Sequence, residues 1–263
     1  MRLQNNIMAV YTTEIASDKI TSDNPIHQRL LKAYYIAKEY VNGDLLEIGC
    51  GEGRGIGLLH ELVNNYTGID KITEVVDKLS VQYPQANFKQ SIIPPLAFPD
   101  KKFDSLISLQ VIEHIKDDKL FVKEISRVLK PGGVALLTTP NIKKSLSRNP
   151  WHIREYTAEE LTALCRPYFS NVEMLGISGN DKIMEYYNQN KASVKRLTRF
   201  DLLDLQHKLP SFMLKIPYEI MNRLNRNKLQ SSDNGLVASI TYDDYVVSKN
   251  ASESLDLLAI LTR

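Results

Sequence analysis

Apolar positions along this chain alternate between two periods. Ile26, Leu30, Leu31, Tyr34 and Ala37 recur at helical spacing and predict a helix, which Asn42-Gly43 ends. Leu45-Leu46-Glu47-Ile48 is a short, nearly continuous apolar run leading into glycines, which predicts a buried strand. Tyr66-Thr67-Gly68-Ile69-Asp70 predicts a second strand, and helical spacing through Val75, Val76 and Leu79 follows it. Asn87 to Gln90 predicts a third, weaker strand. Ser91 to Lys102 carries Pro94, Pro95 and Pro99, and a residue without a backbone N–H keeps this stretch out of regular structure. Phe103 to Leu109 predicts a fourth strand. Phe121, Ile125, Val128 and Leu129 then set a helix over about 117–129, which Lys130-Pro131-Gly132-Gly133 stops before a fifth strand, Val134 to Thr139.

Strands alternating with helices imply right-handed crossovers and a mostly parallel sheet, an α/β fold of the Rossmann-like, doubly wound kind. The character changes after Thr139. Thr157 stands three residues before Glu160, a capping box that opens a helix to about Arg166, and Asn171 to Ile177 is strand-like. Residues 181–235 carry helical patterns without further strand–helix units. Tyr245 to Ser248 and Leu255 to Thr262 are expected to return to the sheet.

Composition narrows the setting. With 43% hydrophobic and 24% charged residues, the chain has the balance of a globular protein. A net charge of +2 supplies no overall field to steer it to nucleic acid. Cys50 and Cys165 make no disulfide framework, which points to a reducing compartment. The first residues lack a signal-peptide core and no apolar run reaches bilayer length, so a cytoplasmic protein is expected.

The chemistry concentrates where the first strand ends. Gly49, Gly51 and Gly53 alternate directly after it and let the backbone approach a ligand, while the expected helix beyond them offers free N–H groups. Asp70 ends the next strand roughly 20 residues on, the distance at which an acid reaches ribose hydroxyls. These features describe a site for a nucleoside-containing cofactor. Neither register of the dinucleotide fingerprint fits, because its last glycine falls on Arg54 or Ile56, and the P-loop Gly-Lys-Ser/Thr is absent. Glu47-Ile48-Gly49-Cys50-Gly51-Glu52-Gly53 resembles motif I of the class I S-adenosylmethionine-dependent methyltransferases. Phe103-Asp104-Ser105-Leu106-Ile107-Ser108, then Val111-Ile112-Glu113-His114, resembles the fourth-strand motif of the ubiquinone and menaquinone methyltransferase branch, and Leu129-Lys130-Pro131-Gly132-Gly133 its turn before the fifth strand.

The resemblance implies S-adenosyl-L-methionine as cofactor and S-adenosyl-L-homocysteine as product. It implies a cofactor site of Glu47, Gly49, Cys50, Gly51, Gly53, Asp70, Lys71, Ser91, Ile92, Leu109 and Gln110. Ser91 departs from the pattern, since many relatives carry an acid there for the adenine amino group. The resemblance also implies an antiparallel last strand and a helical lid inserted before the final strands. The chain is then expected to divide into an N-terminal arm and helix (1–43), a cofactor-binding core (44–180), a helical lid (181–235) and C-terminal strands (236–263).

On the acceptor side, Trp151-His152-Ile153-Arg154-Glu155-Tyr156 leaves the carboxyl end of the fifth strand, the edge at which open α/β sheets bind ligands. It is similar to a stretch in methyltransferases of bacterial glycan and secondary-metabolite clusters, where it borders the acceptor pocket. His152 is the first candidate for a general base, His114 the second, and Trp151, Arg154 and Tyr156 are candidates for acceptor contact. The alternative is that His152 and Arg154 only tie the loop to the body, and that His114 caps a helix. His27, His60 and His207 carry no motif, and no His, Cys, Asp or Glu spacing suggests a metal site. Residues 181–235 hold ten Lys or Arg against six Asp or Glu, with Phe212, Met213, Ile216, Ile220 and Leu224 as an apolar helical stripe and Pro210 and Pro217 as breaks. The stripe is expected to pack, and the basic residues either stay solvated or face an anionic acceptor or membrane surface. The expected function is methylation of a small-molecule or glycan-precursor hydroxyl. A nucleic-acid methyltransferase is the rival, disfavoured because Ser108-Leu109-Gln110-Val111 stands where many such enzymes carry Asn/Asp-Pro-Pro-Tyr/Phe. A non-catalytic cofactor-binding protein is the other.

Overall fold

The computed structural model describes residues 16, 19–199, 201 and 204–263; most of the expected N-terminal arm and the side chain of His207 lie outside the described residues. The strands are β1 (Asp44–Ile48), β2 (Asn65–Asp70), β3 (Asn87–Gln90), β4 (Phe103–Leu109), β5 (Leu129–Pro140), β6 (Asn171–Gly179), β7 (Tyr245–Ser248) and β8 (Asp256–Thr262). They form one sheet in the order β3-β2-β1-β4-β5-β8-β6-β7. β3, β2, β1, β4 and β5 run parallel, while β8 is antiparallel to both β5 and β6, and β7 to β6. The helices are α1 (Asn24–Ala37), α2 (Ile56–Leu59), α3 (Thr73–Gln82), α4 (Asp118–Val128), α5 (Ala158–Cys165), α6 (Asp181–Thr198), α7 (Leu205–Lys208), α8 (Ser211–Ser232) and α9 (Asn234–Ser239).

The residue contacts divide the chain into two compact units. One comprises 29–145, 152–180 and 242–263; the other comprises 146–151, 181–241 and the described residues up to Gln28. In the first unit the central strands are buried on both faces, which is why their sequences run apolar instead of alternating. Leu45, Leu46 and Ile48 of β1 and Leu257, Leu258, Ala259 and Leu261 of β8 have no exposed surface. Phe121, Val122, Ile125 and Val128 carry one face of α4 into the same core. The proline-rich stretch after β3 is pinned from α4: Glu124 accepts from Leu96 N at 2.8 Å, and Arg127 donates to the carbonyls of Leu96 and Phe98, each at 2.8 Å.

Three local expectations change. The helix after the glycine loop is only α2, extended by a 3-10 turn at His60–Leu62, so little helix dipole stands behind the loop. Lys130 to Gly133 is not a separate turn but lies within β5, because Leu129 is already extended and pairs with Phe103 across a register shift. Pro217 lies inside α8 and does not break it, whereas Pro210 caps its start.

In the second unit, Arg223 and Arg226 pair with the fully buried Asp23 at 2.7 and 3.0 Å. Asn24 donates to the carbonyls of Val237 and Ile240. The apolar stripe of α8 does not pack: Phe212 is 74% exposed, Ile216 72%, Leu224 60%, Ile220 55% and Met213 51%. The inward side of the helix is instead carried by Asn225, Arg226 and Leu229. The helical period is the expected one but the buried face is not, since the buried Asp23 pairs with both arginines and allows a polar side to turn inward.

Candidate active site

Parallel pairing brings the carboxyl ends of β1 to β5 to one edge. Ile48 stands beside Ile69 and Ser108, Asp70 beside Gln90, and Leu109 beside Thr138. The residues directly after these positions are therefore neighbours: the glycine loop, Asp70-Lys71, Ser91-Ile92 and Leu109-Gln110.

The loop's backbone requires glycine. Gly49, Gly51 and Gly53 all have positive φ, at 76°, 49° and 79°. A Cβ on Gly49 would lie 2.5 Å from Val111 Cγ2, whereas one on Gly51 would meet nothing within 4 Å, so the loop's crest faces open space. Asp70 holds that crest in place. Its Oδ2 accepts from Gly51 N at 3.0 Å and its Oδ1 from Ile72 N at 3.0 Å, and each oxygen keeps a lone pair for a further donor. Ser91 N donates to Asp70 O at 2.8 Å, which sets β3's end against the same acid. Ile92 is 79% exposed, and Lys71 is exposed with its carbonyl accepting from Gln90. Gln110 has φ 58°, unusual for a residue with a side chain, and its amide nitrogen bonds Thr138 Oγ1 at 3.3 Å.

Glu47 faces inward. Only 1% exposed, its carboxylate accepts from Tyr34 Oη at 2.6 Å and from Tyr66 Oη. Burial pushes its pKa up to about 7, against the lowering effect of the Tyr34 hydrogen bond. Cys50 is buried beneath the loop, and burial, with Glu47 and Asp70 adding to it, pushes its thiol well up, so it is not a nucleophile.

The acceptor-side stretch returns to the sheet. Asn141 is fully buried and donates to the carbonyls of Ala251, Ser252 and Ser254, and Ile142 N donates to Tyr156 O at 3.0 Å. Ile153 N donates to Glu113 O at 2.8 Å, so the loop lies against the segment that follows β4. The rings of His114 and His152 meet edge to face with centroids 5.0 Å apart. His152 Nδ1 bonds Glu155 Oε1 at 2.7 Å, which orients the ring.

Tyr156 is spent otherwise. It is 4% exposed and donates to Asp118 Oδ2 at 2.9 Å, and Arg154 Nη1 bonds the same oxygen at 2.5 Å. Both residues therefore tie the loop to the start of α4. Trp151 belongs to the other unit, where Nε1 donates to Glu219 at 2.9 Å and Lys215 Nζ lies 3.8 Å from its ring centroid. His60 Nδ1 contacts Ile56 O and is structural.

Glu113 is the residue that the sequence reading passed over as a site. It is 1% exposed, accepts from Thr139 Oγ1 at 2.9 Å, and its pKa is pushed up to about 7 by burial, with His152 opposing. Glu113, His114 and His152 each place one potential ligand atom within 4.8 Å of the others. No linear spacing shows this trio, because the third member arrives on a different loop. The signal available was Glu113 next to His114 directly after a strand on the ligand edge.

Comparison with known proteins agrees with this geometry. The family described as "Methyltransferase domain" matches residues 46–137. A Mycolicibacterium smegmatis protein described as a probable S-adenosylmethionine-dependent methyltransferase is 30% identical over 247 residues, covering 90% of this chain and 86% of its own length. A ubiquinone biosynthesis O-methyltransferase from Pelagibacter ubique is 32% identical over 135 residues, which is 45% of this chain and 54% of that protein. A solved structure of a Thermotoga maritima methyltransferase, titled a possible histamine N-methyltransferase, superposes with a TM-score of 0.58 at 14% identity, covering 92% of this chain and 90% of that one. That likeness concerns the fold.

Proposed function

This chain belongs to the S-adenosylmethionine-dependent methyltransferases, and from that premise we propose that it methylates a hydroxyl of a small-molecule or glycan-precursor acceptor. The observation that carries the reading is the oriented imidazole at the ligand edge, His152, with its Nδ1 on Glu155. The residues at the edge fit the cofactor: glycines at positive φ, open space above Gly51, and the Asp70 carboxylate beside it. Asp70 would hold the ribose, the glycine loop the methionine end, and Ser91-Ile92 and Leu109-Gln110 the adenine side. Bound there, the cofactor supplies a methyl group on a positively charged sulfur.

What the chain adds is position, exclusion of water and a proton acceptor. Displacement at a methyl group is in line, so a hydroxyl oxygen held on the far side of that carbon needs little more than alignment and loss of its proton. Glu155 accepts from His152 Nδ1–H, which leaves the lone pair on Nε2, the nitrogen that takes the acceptor's proton. His114 packs on the ring's face and limits its rotation. The Pelagibacter relative's O-methyltransferase name supports oxygen as the atom methylated.

The test is turnover on a hydroxyl acceptor, found by incubating the protein with radiolabelled S-adenosylmethionine and fractionated bacterial metabolites. His152→Ala should then lower turnover by about 10²–10⁴ with cofactor affinity nearly unchanged. Near-normal turnover in that variant would return His152 to a structural role, and label on an amine or a nucleic acid would replace the hydroxyl reading. For residues 181–235 we further propose weak contact with an anionic membrane surface, supported by the exposed apolar face of α8 and the local excess of positive charge.

A further inference from the structure

We infer that Glu113, His114 and His152 form a binding site for one divalent cation of the borderline, imidazole-accepting kind, such as Zn²⁺ or Mn²⁺. Two imidazoles and one carboxylate suit such ions, whereas Mg²⁺ and Ca²⁺ prefer all-oxygen sites. The donor atoms lie within 4.8 Å of one another. Around a tetrahedral ion with bonds of about 2.0–2.1 Å, ligand atoms stand roughly 3.3 Å apart. Ion binding requires the donor atoms to draw together by up to that difference. The two segments are already tied together, since Ile153 N donates to Glu113 O at 2.8 Å.

Two further observations favour an ion over a simple hydrogen-bonded cluster. Glu113 is a carboxylate with 1% exposure; around it are the Thr139 hydroxyl, the imidazoles and the buried Asp256 carboxylate, which pairs with Arg29, and among the described residues no Arg or Lys forms an ion pair with Glu113 itself. A buried carboxylate in that setting gains most from a positive charge between it and the imidazoles. His152 also has the arrangement common to metal-bound histidines: its Nδ1 is held by the Glu155 carboxylate, which in turn accepts from Ser145 Oγ, leaving Nε2 as the donor to an ion.

Three protein ligands leave a coordination position open, as catalytic sites of this kind do. The inference rests on the proposed hydroxyl chemistry for the ion's use, and not for its binding. A hydroxyl in the open position loses its proton more readily. The proton passes to solvent, the oxygen–carbon bond forms, and the sulfur–carbon bond breaks with its electron pair staying on sulfur. In the ion-free protein, His152 takes the proton itself.

The experiment uses the full chain stripped with a chelator and titrated calorimetrically with Zn²⁺, Mn²⁺ and Mg²⁺, with the visible absorption of added Co²⁺ reporting coordination. One equivalent of Zn²⁺ or Mn²⁺ should bind, and more tightly than Mg²⁺. Glu155→Gln should weaken binding by about 10–100-fold, and His114→Ala and His152→Ala by more than that. Retained S-adenosylmethionine binding certifies that each variant is folded, and Glu155→Gln tests the site without touching a ligand. No binding at millimolar ion, or affinities equal in wild type and all three variants, would overturn the inference. Ion binding without hydroxyl methylation would sink the functional reading and leave this one standing. Hydroxyl methylation that a chelator leaves unaltered, with no ion bound, would do the reverse.

Discussion

At the scale of single residues, two carboxylates beside the glycine loop behave in opposite ways. Asp70 is turned outward and holds the loop through Gly51 N. Asp70→Ala should weaken S-adenosylmethionine binding by about 1–3 kcal/mol, because it removes charge-assisted bonds to the ribose along with the loop's anchor. Calorimetry checks this, and unchanged affinity would remove Asp70 from the site. Glu47 is turned inward, and burial raises its pKa to about 7. In the unfolded chain it titrates near 4.5, so between these values the folded state holds a proton that the unfolded state has lost. The Glu47 contribution is therefore fully present below about pH 4.5 and is lost as pH rises through about 7. Glu47→Gln should flatten that part of the stability–pH curve by an amount on the order of a few kcal/mol, measured by urea denaturation across the range. Both acids were legible as part of the glycine motif. Which one turns inward was not, because Tyr34 and Tyr66 reach Glu47 from a helix and a neighbouring strand.

At the scale of elements, the strands and the long helices followed from hydrophobic period. The helix opened by Thr157 has its capping box, with Thr157 Oγ1 accepting from Glu160 N and Glu160 reaching back to Thr157 N. The misread feature was the buried face of α8. Its apolar residues recur at helical spacing, and such a stripe is ordinarily the packed side. Here Asp23 draws Arg223 and Arg226 inward from another part of the chain, and the apolar side is left exposed. Exposed apolar surface of this size on a helix with excess positive charge is suited to a membrane interface. The wild-type chain should co-sediment with vesicles containing phosphatidylserine and less with neutral ones, and Ile216→Glu should reduce binding severalfold while leaving S-adenosylmethionine affinity intact. Equal sedimentation of wild type and variant would end the membrane proposal. No helix of the described residues is long and apolar enough to span a bilayer, so surface contact is the form such binding would take.

At the scale of the whole molecule, cofactor binding should be visible as stability. A ligand at a hundredfold excess over its Kd stabilises the folded state by about 2.7 kcal/mol, which for a chain of this size is roughly 5–10 °C in Tm. Differential scanning fluorimetry with S-adenosylmethionine or S-adenosylhomocysteine should show that rise, with NAD as the inactive control. A rise with NAD instead would reassign the glycine loop. The sequence by itself determined the order of strands and helices, a nucleoside-containing class of cofactor and the sheet edge proposed to hold it. Those depend on local period, on glycines that only a loop at positive φ requires, and on an acid at fixed distance, all of which are written within short windows. Tertiary structure alone decided the inward turn of Glu47, the anchoring of Arg154 and Tyr156 on Asp118, the exposed face of α8, and the meeting of Glu113 and His114 with His152. Each of these joins residues from separate segments, and their partners are set by how the strands register and the loops return, which no linear spacing records.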